Sequence, residues 1–400
     1  MIFVVGFVLV ILILLLLLRL DYNLGRKSHI NKATPREFPL RKSDLTFFKM
    51  GENLFSDLFT EIRQAKSHIH IEFYIMQDDD FSKEFVSLLM DKAKQGIEVR
   101  LLLDWVGSKK VTRKLGTMLK SAGVSLAYSN KPSLPYFFYK LNSRNHRKVT
   151  VLDGKIGYIG GFNIGKEYLG KDEQFGLWRD YHLKLTGEGV ADLQKQFLND
   201  WFEATDQVVT SQEAYYPTLH TGKSEMKLIA TDGVYLEESL VKLLNSANEQ
   251  ITIGTPYFVP GDGLKKALID AVNRNVSIRV LIPKKADHPL VKEAAIPFID
   301  ELSKLGIRFY AFTKGFYHAK AILIDNDICD IGTTNFDQRS LYSNFEINCL
   351  VYDKEFIEIV KKQIDEDFSS ADEITSERLE ELKEQYKYKI KLASLFQHFL

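Results

Sequence analysis

Two copies of one tight pattern, His-x-Lys with an Asp five residues further on, recur 172 residues apart, as His146, Lys148, Asp153 and as His318, Lys320, Asp325. Each copy is followed by a glycine-led turn ending in Asn, Gly160-Gly161-Phe162-Asn163 in the first and Gly332-Thr333-Thr334-Asn335 in the second. A whole loop-and-strand unit is therefore repeated, and the fold must accommodate two related halves. In each copy the residues after the motif His read as a β-strand, so His146 and Lys148, two apart, project from one face, as do His318 and Lys320. Asp153 and Asp325 fall at the strand ends beside Gly154 and Asn326, where a turn is expected. A structural role for these two Asp residues comes first and a direct catalytic role second.

The residue types point to phosphoryl chemistry. A phosphodiester is anionic and resists attack, so a metal-free site needs a nucleophile, a proton donor for the leaving oxygen and fixed positive charge around the phosphoryl oxygens. Two imidazoles and two ammonium groups supply that set. Histidine can attack while neutral in one copy and donate a proton in the other if its neighbours separate the pair. Asp180 follows the first copy and Glu346 the second, and either can orient an imidazole through its far nitrogen. Lys148 and Lys320 would hold the phosphate, with Asn163 and Asn335 donating further hydrogen bonds. The N-H groups of Gly160 and Gly161 can approach a phosphate closely, although a tight turn alone would also call for glycine.

From about residue 45 to about residue 375 the chain resembles the phospholipase D superfamily, and within it the bacterial cardiolipin synthases. The resemblance includes His70-Ile71-Glu72-Phe73-Tyr74, Tyr139 to Asn145 leading into the first motif, Ile159 to Gly165, and Trp178-Arg179-Asp180. It continues in Thr255-Pro256-Tyr257-Phe258, Asn335 to Ser340 and Asn344-Phe345-Glu346. It implies two similar α/β lobes, each a mixed β-sheet flanked by helices, sharing one active site, and a two-step transfer through a phosphohistidine without metal or other cofactor. Cardiolipin synthases of this type move a phosphatidyl group from one phosphatidylglycerol to the hydroxyl of another and release glycerol. Carried over by position, His146 is the nucleophile, His318 the general acid and later the base, and Asp180 and Glu346 the acids that hold the histidines. Related synthases often carry two amino-terminal membrane spans, whereas this chain offers one.

That one is Met1 to Leu18, which has no charged or polar side chain and, with Leu20, approaches the roughly 20 residues that cross a bilayer. A transmembrane helix is expected over residues 1–20; the basic start and small-residue cleavage site of a signal peptide are absent. Arg19, Arg26, Lys27, Lys32 and Arg36 follow the span, which places the body in the cytoplasm of a single-pass membrane protein. The expected partners are phosphatidylglycerol and membrane lipid. The 53 Lys and Arg balance 53 Asp and Glu, which argues against nucleic acid as partner. Cys329 and Cys349 lie in apolar strand-like runs and are expected to be reduced core residues; no Cys/His cluster has zinc spacing.

Strand-like and helix-like stretches alternate as in layered α/β domains. His68 to Met76, Phe81 to Gln95 and Ile97 to Leu103 read as strand, helix, strand, and the order returns in Gln250 to Val259, Leu264 to Arg274 and Val276 to Ile282, with Arg100 and Arg279 in matching places. The expected division is a juxtamembrane linker over 21–44, lobe 1 over 45–204, a polar linker over 205–223, lobe 2 over 224–370 and a helical segment over 371–400, with one peripheral helix from Glu373 to Lys391. The aromatic run Pro132 to Tyr139 either meets the lipid interface or an acyl chain, or packs between the lobes. Phe316-Tyr317 is expected to line the pocket. His68, His70, His182 and His288 are expected to be structural. Besides a phosphatidyltransferase, the sequence is compatible with a phospholipase D that passes the intermediate to water, and with a silent membrane scaffold, against which the intact motifs argue.

Overall fold

The computed structural model describes residues 2–33, 36–209 and 213–397, and in it the two halves follow one plan. Met1 of the expected anchor, residues 34–35 and 210–212 of the expected linkers and residues 398–400 of the C-terminal segment lie outside the described residues. The motif strands are Val149–Leu152 and Ala321–Ile324, and every residue of both is buried. Such short apolar, β-branched runs suit strands covered on both faces. Each turns back into an antiparallel neighbour, Ile156–Gly160 or Ile328–Gly332. The turns are made by Asp153 and Asp325 at φ of 54° and 51°, a left-handed conformation that Asp tolerates better than most residues.

On its other side each motif strand pairs antiparallel with His68–Phe73 or Gln250–Gly254. These pair in parallel with Glu98–Asp104 or Ser277–Pro283, which pair in parallel with Ser125–Ser129 or Arg308–Phe312. The first crossover in each half is a helix, Asp80–Lys94 or Asp262–Asn273, as parallel pairing requires.

The halves are joined at the middle. His182–Gly187 pairs with Arg41–Phe48, Phe345–Val351 pairs with Ser224–Asp232, and Arg41–Phe48 pairs with Ser224–Asp232. Among the described residues the result is one 16-stranded sheet, with Ala371–Glu373 at one edge, and two two-stranded ones. The inner faces of the halves share one core: Val149, Val151, Ile159 and Leu183 from the first meet Ala321, Leu323, Ile331 and Ile347 from the second. Separate apolar clusters lie under the outer helices, giving a layered α/β architecture. Cys329 and Cys349 are buried free thiols in the shared core.

The connecting segments are more ordered than their composition suggests. Arg41–Phe48 runs across the expected boundary at 44/45, and Arg36–Glu37 pairs with Ala230 and Ile229 of the second half. In the segment 205–223, Tyr215 is buried, its hydroxyl 2.7 Å from Glu98 Oε1 and 2.9 Å from Arg100 Nη1. Among its described residues the C-terminal segment has a strand and two helices, Ser376–Gln385 and Lys387–Phe396, where a single helix is expected. The expectation of a peripheral helix gives way to one whose Leu379, Leu382 and Ala393 are buried.

The N-terminal segment is a helix, Ile2–Ile30. Among the described residues no helix is long and apolar enough to cross a membrane. Within this helix every side chain from Leu9 to Leu17 is exposed. Its polar end docks on the body: Asp21 Oδ2 accepts the Tyr139 N-H at 3.0 Å, and Tyr22 meets the Tyr139 ring edge-on at 5.6 Å.

Candidate active site

Each motif histidine precedes its strand, and the main chain leading to it pairs in parallel with the segment that carries the other half's acid. Asn145 bridges Phe345, and the His146 N-H donates to the Phe345 carbonyl at 2.9 Å. Gly315–Tyr317 pairs with Leu177–Arg179, and the His318 N-H donates to the Arg179 carbonyl at 2.7 Å. The next residue in each acidic segment is therefore delivered beside the opposite histidine. His146 Nδ1 lies 3.0 Å from Glu346 Oε2, and His318 Nδ1 lies 2.5 Å from Asp180 Oδ2. A carboxylate on Nδ1 favours the tautomer that carries hydrogen there; at His318 the Lys320 Nζ also lies 3.2 Å from Nε2.

The acids are themselves secured. Glu346 accepts from Thr333 Oγ1 at 2.5 Å and Ser340 Oγ at 2.8 Å, and Asp180 Oδ1 from the Tyr181 N-H at 2.7 Å. Burial pushes both carboxyls up, but Lys320 and His318 hold Asp180 below its ordinary value, and His146 and Lys148 do the same for Glu346. The bases shift the other way. Burial lowers His146 and His318 to about 4 each, and lowers Lys148 to about 7. Lys320 is also lowered by burial, against the pull of Asp180 and Glu346. An anionic phosphodiester entering this site favours the cationic forms and opposes those shifts.

His146 and His318 line one cleft of about 470 Å³. Asn163 and Asn335 line it too, whereas Lys148 and Lys320 are not among its lining residues. Lys148 Nζ donates to the His146 carbonyl at 2.6 Å and lies 5.4 Å from the Tyr74 ring centroid. Lys320 Nζ donates to the His318 carbonyl and lies 2.6 Å from His318 Nδ1. Asn163 Oδ1 accepts the Ile75 N-H at 3.1 Å; its amide nitrogen is the part that can donate to a ligand. Asn335 Oδ1 has no hydrogen-bond partner among the described residues.

Asp153 and Asp325 do not reach the cleft. Asp153 accepts the N-H groups of Lys66, Ser67 and His68 at 2.8, 2.7 and 3.0 Å, and Asp325 those of Asn248, Glu249 and Gln250 at 3.0, 2.9 and 2.8 Å. A carboxylate saturated by three main-chain donors at the far end of the strand clamps a turn and has no part in proton transfer. The glycines also have a different purpose from phosphate binding. The Gly161 N-H donates to the Tyr181 carbonyl at 2.9 Å, and a Cβ at 161 would collide with the Asp180 carboxylate.

Phe316 and Tyr317 are fully buried, Phe316 against Trp178 and Tyr317 in the shared core, and neither lines the cleft. Of the aromatic run, Tyr136 and Tyr139 face the N-terminal helix, while Leu134 and Phe137 are exposed. His68 and His70 share Gln194, and His182 is buried. His288 lines the cleft, its Nε2 3.7 Å from Asp287 Oδ2. Tyr74, Tyr257 and Asp287 are cleft residues to which sequence reasoning gave no role. Tyr74 meets His146 and Tyr257 meets His318, with ring centroids 5.0 and 6.5 Å apart. The signal was present, since the tyrosines come just after the corresponding strands His68–Phe73 and Gln250–Gly254. Arg147, fully buried between Asp200 and Asp232, was also missed.

The family described as cardiolipin synthase, phospholipase D-like domain, matches residues 58–201 and 240–370. The minor cardiolipin synthase ClsB of Bacillus subtilis (strain 168) is 42% identical over 376 residues, covering 94% of each chain. A cardiolipin synthase of Oceanobacillus iheyensis is 37% identical over 339 residues, 84% of this chain and 71% of that one. Among solved structures, a phosphatidylserine synthase of Haemophilus influenzae Rd KW20 superimposes with a TM-score of 0.68 at 15% identity, covering 94% of this chain and 99% of that one, a likeness of fold. With paired histidines in one cleft and this extent of similarity, the chain belongs to the phospholipase D-like cardiolipin synthase family.

Proposed function

We propose that the chain is a phosphatidyltransferase that joins two phosphatidylglycerol molecules into cardiolipin and glycerol. The observation that supports this most is that His146 and His318 line one cleft, each backed by a carboxylate on Nδ1. In the first step His146 Nε2 attacks the phosphorus, a P–N bond forms, the P–O bond to the headgroup glycerol breaks, and His318 gives its proton to the departing oxygen. In the second step His318 takes the proton of a hydroxyl on a second phosphatidylglycerol, that oxygen attacks the phosphorus, and the P–N bond breaks. Lys148 and Lys320 offset the phosphoryl charge from beside the imidazoles, in a buried setting where electrostatic stabilisation is strongest.

Although the described helix does not by itself meet the requirements of a span, residues 1–20 are read from their sequence as a single-pass membrane anchor with the catalytic body on the cytoplasmic side. Support comes from its unbroken row of exposed apolar side chains, Leu9 to Leu17, since such a surface is not left in water. The cations that follow it set the orientation. Exposed Leu134 and Phe137 lie in the segment that meets the polar end of this helix, which suits the lipid interface.

Purified protein in detergent, given phosphatidylglycerol and a metal chelator, is expected to yield cardiolipin and glycerol in equal amounts by mass spectrometry. Phosphatidic acid as the main product would replace this reading with a hydrolase. Deleting residues 1–20 is expected to move the protein out of the membrane fraction.

A further inference from the structure

Beside the catalytic cleft lies a second cavity of about 370 Å³, within the size range of ligand pockets. Its wall is apolar: Ile282, Ala295, Ile296 and Ile299, closed by Leu379 and Leu382 of the helix Ser376–Gln385. Tyr257, Asp287 and Val291 line both this cavity and the cleft. The divide between them is a hydrogen bond, Tyr257 hydroxyl to Asp287 Oδ2 at 2.5 Å, and Asp287 Oδ1 is buried without a hydrogen-bond partner among the described residues.

The cavity is lined by four cations, Lys284, Lys285, Lys292 and Arg378, against three carboxylates, Asp287, Asp372 and Glu373. Lys284 is paired with Asp372 at 2.9 Å and Arg378 with Glu381 at 2.6 Å. Lys285 and Lys292 have no carboxylate partner among the described residues; Lys285 Nζ donates to the Gln174 carbonyl at 3.1 Å and Lys292 Nζ to the Lys284 carbonyl at 3.2 Å. Partial burial, with Arg378 and Lys284 close by, holds the Lys292 ammonium below its ordinary value despite Glu293, so an anion here is welcome. The helix Lys387–Phe396 packs near the same wall through Ala393 and turns Tyr388, Leu392, Leu395 and Phe396 outward, among Lys387, Lys389 and Lys391. A helix with that mixture suits a lipid surface.

We propose that this cavity is the subsite for the acceptor lipid: one acyl chain of an anionic glycerophospholipid fills it, the lipid phosphate rests on Lys285 and Lys292, and the glycerol headgroup passes Tyr257 and Asp287 to present its hydroxyl to His318. The proposal rests on the transferase reading above. It assigns the two substrates to different places: the donor phosphate lies between the histidines, and the acceptor phosphate lies one glycerol away. Asp287 Oδ1 is the acceptor for a headgroup hydroxyl, which gives the site a reason to prefer a polyol lipid.

Two assays on the full-length protein separate this from a general loss of activity. Exchange of labelled glycerol into phosphatidylglycerol uses the donor site alone, whereas cardiolipin formation also needs the acceptor. In Lys285→Ala/Lys292→Ala and in Ala295→Phe, the ratio of cardiolipin formation to glycerol exchange is expected to fall about tenfold; a ratio equal to that of the unaltered protein overturns the proposal. Should a variant fail to fold, the unaltered protein decides. Phosphatidylglycerol with a photoreactive group in its acyl chain should label peptides covering 291–303 and 376–385, and labelling found only elsewhere overturns it. Glycerol exchange without any cardiolipin from the unaltered protein would defeat the cardiolipin-forming reading, and the peptide labelling would still report on the cavity.

Discussion

His318 Nδ1 and Asp180 Oδ2 lie 2.5 Å apart across 138 residues of sequence, and the pair is built from both halves of the molecule. Asp180→Asn removes the charge that supports protonation of His318 and leaves Lys320 beside the ring, so His318 becomes less basic and loses its fixed tautomer. A fall in kcat of roughly 10²–10⁴ is expected, with a smaller change in KM. Glu346→Gln is expected to act in the same way on His146. Steady-state kinetics in mixed micelles check both, and a kcat within a few-fold of the unaltered enzyme would remove the carboxylates from the mechanism.

Covalent chemistry separates the two histidines. His146→Ala should abolish labelling of the protein by phosphatidylglycerol carrying a labelled phosphate, because no nucleophile remains. His318→Ala should still be trapped when the headgroup is an activated leaving group that needs no proton. The opposite pattern, read by mass spectrometry of the labelled peptide, exchanges the two roles.

The pH profile should report Lys148, which burial brings to about 7 in the free protein. Above that pH the ammonium is lost, so kcat/KM is expected to decline from near neutrality. Bound lipid phosphate favours the charged form, so the same limb in kcat lies at higher pH. Lys148→Arg keeps its charge throughout and should erase the limb at a lower absolute rate. Coincident limbs that ignore the substitution would contradict this assignment.

The turn carboxylates should affect folding without affecting chemistry. Asp153→Ala strands three N-H groups and puts Ala in a left-handed conformation, for a loss of roughly 1–3 kcal/mol. Asp325→Ala should cost a similar amount. Thermal melts are expected to drop for both, with kcat of the folded fraction preserved; a kcat loss at full stability would return these residues to the catalytic set.

Asp330 offers a stability test with a definite sign. Burial raises its carboxyl to about 7, with Asn348 Nδ2 bonded to Oδ2 at 2.8 Å. The native state therefore holds a proton that the unfolded chain releases from about pH 4 upward, and stability falls as pH rises through that window to about 7. Asp330→Asn lacks this penalty, so its advantage in melting temperature should be larger at pH 8 than at pH 4, by roughly 1–3 kcal/mol of stability. Equal differences at the two pH values would show that the carboxyl titrates normally.

Much of this was legible in the residues. The motif duplication fixed which strands correspond, and runs such as Val149 to Leu152 could only be buried strands. What alternation cannot disclose is partnership between distant segments. Asp180 and Glu346 were recognised as orienting acids, but their crossing to the opposite histidine depends on two short parallel pairings, Asn145 with Phe345 and Tyr317 with Arg179. Nothing in a three-residue strand announces its partner. Gly161 was open to two readings because a small residue can serve a ligand or a neighbour, and only packing shows that the neighbour is the Asp180 carboxylate. The segment Arg41–Phe48 reads partly as linker because its charged residues mask a strand in which only Ser43 is fully buried.

Because the counter-charge for each imidazole is supplied from across the molecular divide, a severed half would keep its histidine and forfeit the group that tunes it. Separately expressed halves should therefore be inert alone and regain turnover together.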